Sequence, residues 1–195
     1  MKKLIIFLLI LLVHTSNIYA DNLDEIKRII VGNKNAKITI IAYESLTCSH
    51  CADFHINVYP ELKRDYLDTG IAKIEFRHFP LDVAAFNASK VSQCKNDGSS
   101  ETLNLLYLNQ PKWVKGNSIE EVNENLKKFL NSKELGINFA QCTADKKIED
   151  FILNDRIEGV KKFKVNATPT IIINDKKFEK SLNYKNLKKT LEKLI

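Results

Sequence analysis

The sequence predicts an α/β fold with a helical insertion, and three neighbouring segments carry this prediction. Residues 37–43 (KITIIAY) are mostly apolar and β-branched, which is typical of a buried strand. Residues 71–79 (IAKIEFRHF) alternate in polarity as a strand does, and the stretch between has apolar residues at helical spacing. Pro60 is expected to kink or break that helix, and Gly70 to end it. Strand, helix and strand in this order form a βαβ unit with parallel strands.

The rest of the chain extends this unit. Residues 81–162 have few strand signals and are predicted to form four or five helices. Residues 170–173 (TIII) predict a further strand, and a tight turn at 174–176 leads into a short strand at 177–179. Residues 183–195 predict an amphipathic helix. Its apolar face is expected to consist of three leucines: Leu187, Leu191 and Leu194.

The first 20 residues have the layout of a secretory signal peptide. Lys2 and Lys3 form a basic start, residues 4–13 are an unbroken apolar run, and Ala20 is a small residue suited to cleavage. The apolar run is much shorter than the roughly 20 residues of a membrane-spanning helix. We therefore expect cleavage after Ala20 and a mature chain of one domain, or of one domain with an insertion.

Composition excludes several classes of protein. Four cysteines among 195 residues are too few for a small fold held together by disulfides. The formal net charge of +6 comes from basic residues scattered among acidic ones, which indicates a solvated surface. Basic motifs interleaved with aromatic residues are absent from the sequence, so nucleic-acid binding has no support.

Two cysteines three positions apart form the most informative motif. Residues 47–51 are TCSHC, and such a pair can bind a metal, form an inert disulfide, occur by chance or exchange electrons. A zinc site needs about four ligands, but Cys94 and Cys142 are isolated cysteines, so no metal is expected. The pair of Cys48 and Cys51 lies where a strand gives way to a helix, which favours electron exchange.

The helix start gives the two cysteines different chemistry. Unpaired N–H groups and the positive end of the helix dipole favour Cys48 as a thiolate, and a protonated His50 adds to this effect. A stabilised thiolate attacks disulfides and also leaves from them readily, which makes the pair an oxidant. Cys51, one turn into the helix, is expected to be buried and to resolve the mixed disulfide that Cys48 forms.

A second motif, Thr168-Pro169, precedes the late strand. Proline cannot donate a ladder hydrogen bond, so it belongs at a strand start or a sheet edge. A cis bond before Pro169 would expose neighbouring backbone groups with which an extended peptide can pair. The alternative is an ordinary trans proline in a loop.

Taken together, these motifs resemble one family. TCSHC, a following helix, a long helical stretch and then ATPTIIIN (167–174) are similar to the bacterial DsbA-like thiol–disulfide oxidoreductases of the thioredoxin superfamily, over about residues 33–195. The resemblance implies a thioredoxin fold with an inserted helical domain. It divides the chain into a signal peptide (1–20), a first thioredoxin-like part (21–80), the inserted helical domain (81–162) and a second thioredoxin-like part (163–195).

The resemblance also implies roles and partners. Its roles fall on six residues: Cys48 as exposed nucleophile, Cys51 as buried partner, Ser49 and His50 as the tuning dipeptide, and Thr168 with Pro169 as the cis-proline element. It implies a periplasmic location, exported proteins with free cysteines as substrates, and a membrane partner that re-oxidises the pair. We expect a monomer without a dissociable cofactor, because the cysteines themselves carry the electrons.

Three positions depart from the family pattern. Ser49 stands where many members have proline, which relaxes the turn and adds an N–H group. Many relatives have a buried carboxylate six residues before the first cysteine, where this chain has Ala42. Glu44 shares the strand face of Ala42 and is hypothesised to fill part of that role, the alternative being an exposed glutamate. Thr168 resembles thioredoxin and the isomerases more than the strongest oxidants.

The remaining candidates are two cysteines and two histidines. Cys94 and Cys142 both lie in the predicted insertion, where an oxidising compartment favours a second disulfide, with two buried free thiols as the alternative. His55 and His78 are interpreted as structural residues, His55 at the surface or in packing.

The sequence therefore predicts an enzyme that introduces disulfides into exported proteins. One alternative is a disulfide isomerase or reductase, which Thr168 suggests. The other is a non-catalytic, chaperone-like binding module on the same fold, which would use a groove near the Thr168-Pro169 element without the thiols. Loss of activity on replacing Cys48 distinguishes the enzymes from the binding module.

Overall fold

The computed structural model describes residues 25–195. The signal peptide predicted for residues 1–20 lies outside this range. Within the described range, no helix has the length and apolar character that crossing a membrane requires.

A five-stranded mixed sheet forms the centre of the fold. Its strands are β1 (Ile30–Gly32), β2 (Ile38–Glu44), β3 (Ala72–His78), β4 (Thr170–Ile173) and β5 (Lys176–Lys177). The strand order is β1-β3-β2-β4-β5, with β2 and β3 parallel and the other pairs antiparallel. The predicted fold class, including the parallel βαβ unit, is confirmed.

Helices and one π-helical turn cover the sheet and form the insertion. Between β2 and β3 lie α1 (Ser49–Asn57), α2 (Tyr59–Leu62) and the π-helical turn Lys63–Leu67. Between β3 and β4 lie α3 (Val83–Gln93), α4 (Glu101–Leu108), α5 (Gln110–Trp113), α6 (Ile119–Asn131), α7 (Phe139–Ala144) and α8 (Lys146–Phe163). The C-terminal helix is α9 (Tyr184–Leu191). The six helices between β3 and β4 exceed the four or five predicted, because α5 and α7 are too short to show a periodic pattern.

Two boundaries show how local chemistry ends an element. Pro60 breaks the first helix as predicted, and it lies in the first turn of α2, where a missing N–H leaves no hydrogen bond unmade. Asn174 and Asp175 both have positive φ (45° and 63°), as a tight hairpin turn between β4 and β5 requires.

The C-terminal helix differs from its prediction at one end. Leu187 and Leu191 are fully buried, as the amphipathic pattern indicates. Leu194 is 45% exposed, so its placement on the apolar face was wrong. The physical reason is that α9 ends at Leu191, and the residues beyond no longer follow helical spacing.

Strand β2 is buried on both faces, which ties the two layers of the molecule together. Ile38, Ile40 and Ala42 face one apolar cluster, which includes residues of α1. Ile41 and Tyr43 face a second cluster on the other side, where the end of α8 packs. A buried strand of this kind is expected to be continuously apolar, as residues 38–43 nearly are.

Gly159 in α8 allows the close approach of this helix to the sheet. A Cβ atom at this position would lie 2.8 Å from Cε1 of Tyr43, well inside van der Waals contact. We predict that Gly159→Ala destabilises the protein by about 1–3 kcal/mol, although alanine has the higher helix propensity. Urea unfolding measures this difference. Asn154→Ala, at an exposed position of the same helix, should change stability by less than about 0.5 kcal/mol. A Gly159→Ala protein as stable as the wild type would contradict the packing described here.

Candidate active site

The turn after β2 places Cys48 at the start of α1. Cys48 is the N-cap residue, with extended backbone angles (φ −77°, ψ 120°). Its half-buried sulfur receives hydrogen bonds from the backbone N–H groups of Cys51 and His50, which lie in the first turn of the helix. The first turn of α1 therefore stabilises negative charge on this sulfur.

Hydrogen bonds lower the pKa of the Cys48 thiol to about 5. The largest contribution is the hydrogen bond from the Cys51 thiol, and partial burial opposes it. Hydrogen bonds from the Thr168 side chain and from the two backbone N–H groups add to the effect. At neutral pH Cys48 is therefore a thiolate, as its place at a helix start predicts.

Cys51 has the opposite character. Its side chain is completely buried, and burial raises the pKa of its thiol well above the usual range. The hydrogen bond that it donates to Cys48 and the charge of Glu44 raise the pKa further. Both cysteines are free thiols, so the structure shows the reduced form of the pair. One reactive thiolate and one protected thiol thus lie side by side.

The register of the sheet brings the Thr168-Pro169 element to the same place. β2 and β4 are antiparallel, with Tyr43 opposite Thr170, so the end of β2 and the start of β4 share one edge of the sheet. The Thr168–Pro169 peptide bond is cis. The Cys48 sulfur lies 3.3 Å from the carbonyl oxygen of Thr168. Backbone at the start of β4 therefore directly faces the cysteine pair.

Glu44, at the end of β2, is buried and paired with a histidine. Its Oε2 atom lies 2.9 Å from Nε2 of His55, and Nδ1 of His55 lies 3.0 Å from Oδ1 of Asn104. The His55 ring also stacks on Tyr107, with ring centroids 4.1 Å apart. Burial raises the pKa of the Glu44 carboxyl, and the neighbouring His55 partly opposes this rise. An exposed glutamate, the alternative for Glu44, is not what the structure has.

His55 lies against Glu44, a contact that sequence reasoning did not predict. It was expected at the surface or in packing, and it is 2% exposed with polar partners at both ring nitrogens. A signal was available, because His55 lies four residues after Cys51 and so shares its buried helix face. His78 is also buried, and its Nε2 atom lies 3.3 Å from Oε1 of Gln93, away from the cysteine pair.

The helical insertion holds the turn that carries Cys48. Nε2 of Gln110 donates hydrogen bonds to the carbonyl oxygens of Leu46 and Cys48, at 2.9 and 3.0 Å. The hydroxyl of Thr47 donates to the Asp82 carboxylate at 2.6 Å. Neither Gln110 nor Asp82 is marked by a sequence motif, because their roles depend on tertiary packing.

A groove of about 750 Å³ opens beside the cysteine pair. Apolar side chains of α1, of the cis-proline element and of the segment before α9 line it, including Phe54, Val58, Pro169 and Leu182. His50 lies at the groove wall, whereas the exposed Ser49 does not line it. An extended polypeptide that reacts at Cys48 has room to continue along this groove.

Cys94 and Cys142 form a disulfide within the insertion, between the end of α3 and α7. Lys90, one turn before Cys94, is buried and donates a hydrogen bond to the carbonyl oxygen of Thr143 at 2.7 Å. The two helices are thus joined by a covalent bond and a polar contact. Across residues 25–195, no cluster of His, Cys, Asp and Glu side chains is suited to hold a metal ion.

Comparisons with known proteins agree with this fold and site. A family model described as thioredoxin matches residues 24–193. The crystal structure of alpha-DsbA1 from Wolbachia pipientis superposes with a TM-score of 0.75 and 31% sequence identity, covering 86% of this chain and 90% of that one. A putative protein-disulfide oxidoreductase of Rickettsia bellii is 30% identical over 149 residues, which are 74% of this chain and 56% of the relative. Disulfide bond formation protein D of Bacillus subtilis is 25% identical over 174 residues, 84% of this chain and 75% of the relative.

The chain belongs to the thioredoxin family, among its DsbA-like members. The predicted resemblance is therefore confirmed. The chain spans little more than half the length of the Rickettsia bellii relative that it matches.

The low pKa of Cys48 gives a direct prediction. We expect alkylation of Cys48 by iodoacetamide to reach half its maximal rate near pH 5, about four pH units below an ordinary thiol. Thr168→Val should raise this midpoint, because valine cannot donate a hydrogen bond to the thiolate. Mass mapping of the alkylated protein at each pH measures both values. A midpoint near pH 8 in the wild type would contradict the charge assignment.

Proposed function

We propose that this chain is a periplasmic thiol–disulfide oxidoreductase that introduces disulfides into exported proteins. The observation that carries the proposal is the Cys48 thiolate, stabilised at the start of α1 and lying against both the buried Cys51 thiol and the cis Thr168–Pro169 backbone. The names of relatives, which refer to protein-disulfide oxidoreductases and disulfide bond formation, support it.

The oxidised pair would act by two thiolate displacements. A substrate thiolate attacks the sulfur of Cys48, the Cys48–Cys51 bond breaks, and Cys51 leaves as a thiolate that takes up a proton. A second substrate thiolate then attacks the substrate sulfur of the mixed disulfide, and Cys48 leaves as a stable thiolate. Two electrons pass from the substrate to the pair, and the substrate gains one disulfide. The reaction is driven forward because hydrogen bonds stabilise the Cys48 thiolate in the reduced product.

Glu44 and His55 are proposed to transfer a proton to and from the Cys51 thiol. A thiol buried at 0% exposure cannot exchange its proton directly with water. Glu44 is only 3% exposed and is close enough for its charge to raise the pKa of Cys51. Its Oε1 atom has no hydrogen-bond partner among the described residues. The Glu44–His55 pair thus offers a proton donor to Cys51 when the disulfide opens, and an acceptor when it closes.

The partners follow from the same chemistry. Substrates would be exported proteins with free cysteines, and a membrane redox partner would re-oxidise the Cys48–Cys51 pair. Ser49 and His50 would tune the pair, Pro169 and Thr168 would present backbone to the substrate, and the protein would act as a monomer without a cofactor. Thr168 keeps a disulfide isomerase or reductase as the second candidate function.

The redox equilibrium with glutathione separates the candidate functions. A potential of about −120 mV for the Cys48–Cys51 pair would support disulfide introduction, whereas about −200 mV or lower would favour an isomerase or reductase. We expect the oxidised protein to restore disulfides in a reduced, unfolded substrate, and Cys48→Ser to abolish this. Asn154→Ala should retain it. A Cys48→Ser protein that still assists folding would instead indicate a chaperone-like binding module.

Replacing Glu44 tests the proton role. Glutamine keeps the size of the side chain and a hydrogen bond to His55, but it cannot accept a proton. We therefore expect Glu44→Gln to fold and to slow disulfide formation between Cys48 and Cys51 by about 10- to 100-fold near neutral pH, with an altered pH profile. Stopped-flow fluorescence of the wild type and variant over pH 5–9 measures this. An unchanged pH profile would remove Glu44 from the mechanism.

A further inference from the structure

One wall of the groove beside Cys48 is built from a single helical stripe. Its members recur every three or four residues from the start of α1 into α2: His50, Asp53, Phe54, Asn57, Val58 and Glu61. Phe54 and Val58 are buried and form the floor. Asp53, which is exposed, and Glu61, which is partly exposed, supply the charged side chains of this wall. The groove therefore combines an apolar base with carboxylates along one side.

Negative charge is not balanced within the groove. Among the described residues that line it, two carry carboxylates and none is lysine or arginine. Asp53 makes no ion pair within residues 25–195. Glu61 lies 3.8 Å from Arg64, but the same guanidinium binds Asp65 at 2.6 Å. Lys180 and Lys185 flank the opposite wall in sequence but do not line the groove.

Two further hydroxyl groups, those of Tyr184 and Thr168, also line the groove. The Tyr184 hydroxyl donates a hydrogen bond to the Asp65 carboxylate, which keeps that third acid beside the far wall. Thr168 is 9% exposed and lines the groove next to Cys48, and apart from the Cys48 thiolate its hydroxyl has no hydrogen-bond partner among the described residues. In a mixed disulfide Cys48 carries no charge, so this hydroxyl is left facing the bound chain. A polar, extended ligand satisfies it.

Distances along the helix set the spacing of a matching ligand. Asp53 follows Cys48 by five residues, which is roughly 7 Å of helix rise and about two residues of an extended peptide. Glu61 lies about two helical turns farther, or roughly four more peptide residues. Basic side chains at such positions would reach the carboxylates while apolar neighbours contact the floor.

We infer that this groove selects extended segments that carry lysine or arginine about two to six residues from the reactive cysteine. The inference rests on the proposed function, because it concerns the substrates of the same cysteine pair. Asp53 and Glu61 are the specificity-determining residues. Charge complementarity of this kind acts mainly on the rate of encounter, so it weakens as salt screens the carboxylates.

A peptide series tests the inference. Reduced peptides with two cysteines are made in three forms, with lysine, glutamine or glutamate at the flanking positions, on either side of the first cysteine. Each rate with the oxidised wild-type protein is divided by the rate of the same peptide with glutathione disulfide, which removes differences in thiol reactivity. We expect the lysine form to react about three- to tenfold faster than the glutamate form at low salt, and the ratio to fall in 0.5 M salt.

Matched variants assign the preference to the groove. The double variant Asp53→Asn with Glu61→Gln should bring the lysine-to-glutamate ratio close to one. Glu124→Gln, which removes an exposed acid from α6, should leave the ratio unchanged. Equal rates for the lysine and glutamate peptides with the wild type, or a preference that survives the double variant, would overturn the inference. If the protein still oxidises the glutamine peptide in either case, only the charge preference is overturned and the proposed function is retained. A protein that oxidises none of the peptides would overturn both.

Discussion

The negative charge on the Cys48 sulfur depends on donors that reach it from two separate parts of the chain. The first turn of α1 supplies two backbone N–H groups and the Cys51 thiol, and the start of β4 supplies the Thr168 hydroxyl. These parts are about 120 residues apart in sequence. They meet only because β2 and β4 pair antiparallel, so that the end of one strand and the start of the other share an edge. The register between β2 and β4 is therefore required to bring these donors to the Cys48 thiolate.

The helical insertion contributes to the same site from a third direction. Gln110 holds the carbonyl groups of the turn before α1, and Asn104 holds the His55 ring against Glu44. The insertion is therefore part of the machinery that fixes the cysteine pair, in addition to covering the sheet. Buried polar groups are costly unless they are paired. In the Glu44–His55 contact one carboxylate oxygen of Glu44 is paired, whereas Oε1 has no hydrogen-bond partner within residues 25–195.

The parts of the molecule that the sequence predicts are those with strong local signals. The βαβ unit follows from alternating and helical apolar patterns, and the cysteine pair and Thr168-Pro169 are short motifs whose chemistry is local. The short helices α5 and α7 have no periodicity to detect. The partnership of Glu44 with His55, and the support from Gln110, depend on contacts across the sheet and the insertion. The prediction for Leu194 was wrong for a simpler reason, because it extended helical spacing past the end of α9.

The central claim is that one thiol of the pair is already ionised at neutral pH while the other is not. The pH dependence of the reduction potential tests it most directly. With Cys48 ionised and Cys51 protonated, reduction takes up one proton for two electrons, so the potential should fall by about 30 mV per pH unit between pH 6 and 8. Below pH 5 the slope should approach about 59 mV per pH unit, because both sulfurs then take up a proton. A slope of about 59 mV throughout pH 6–8 would contradict the account, since both cysteines would then be ordinary thiols.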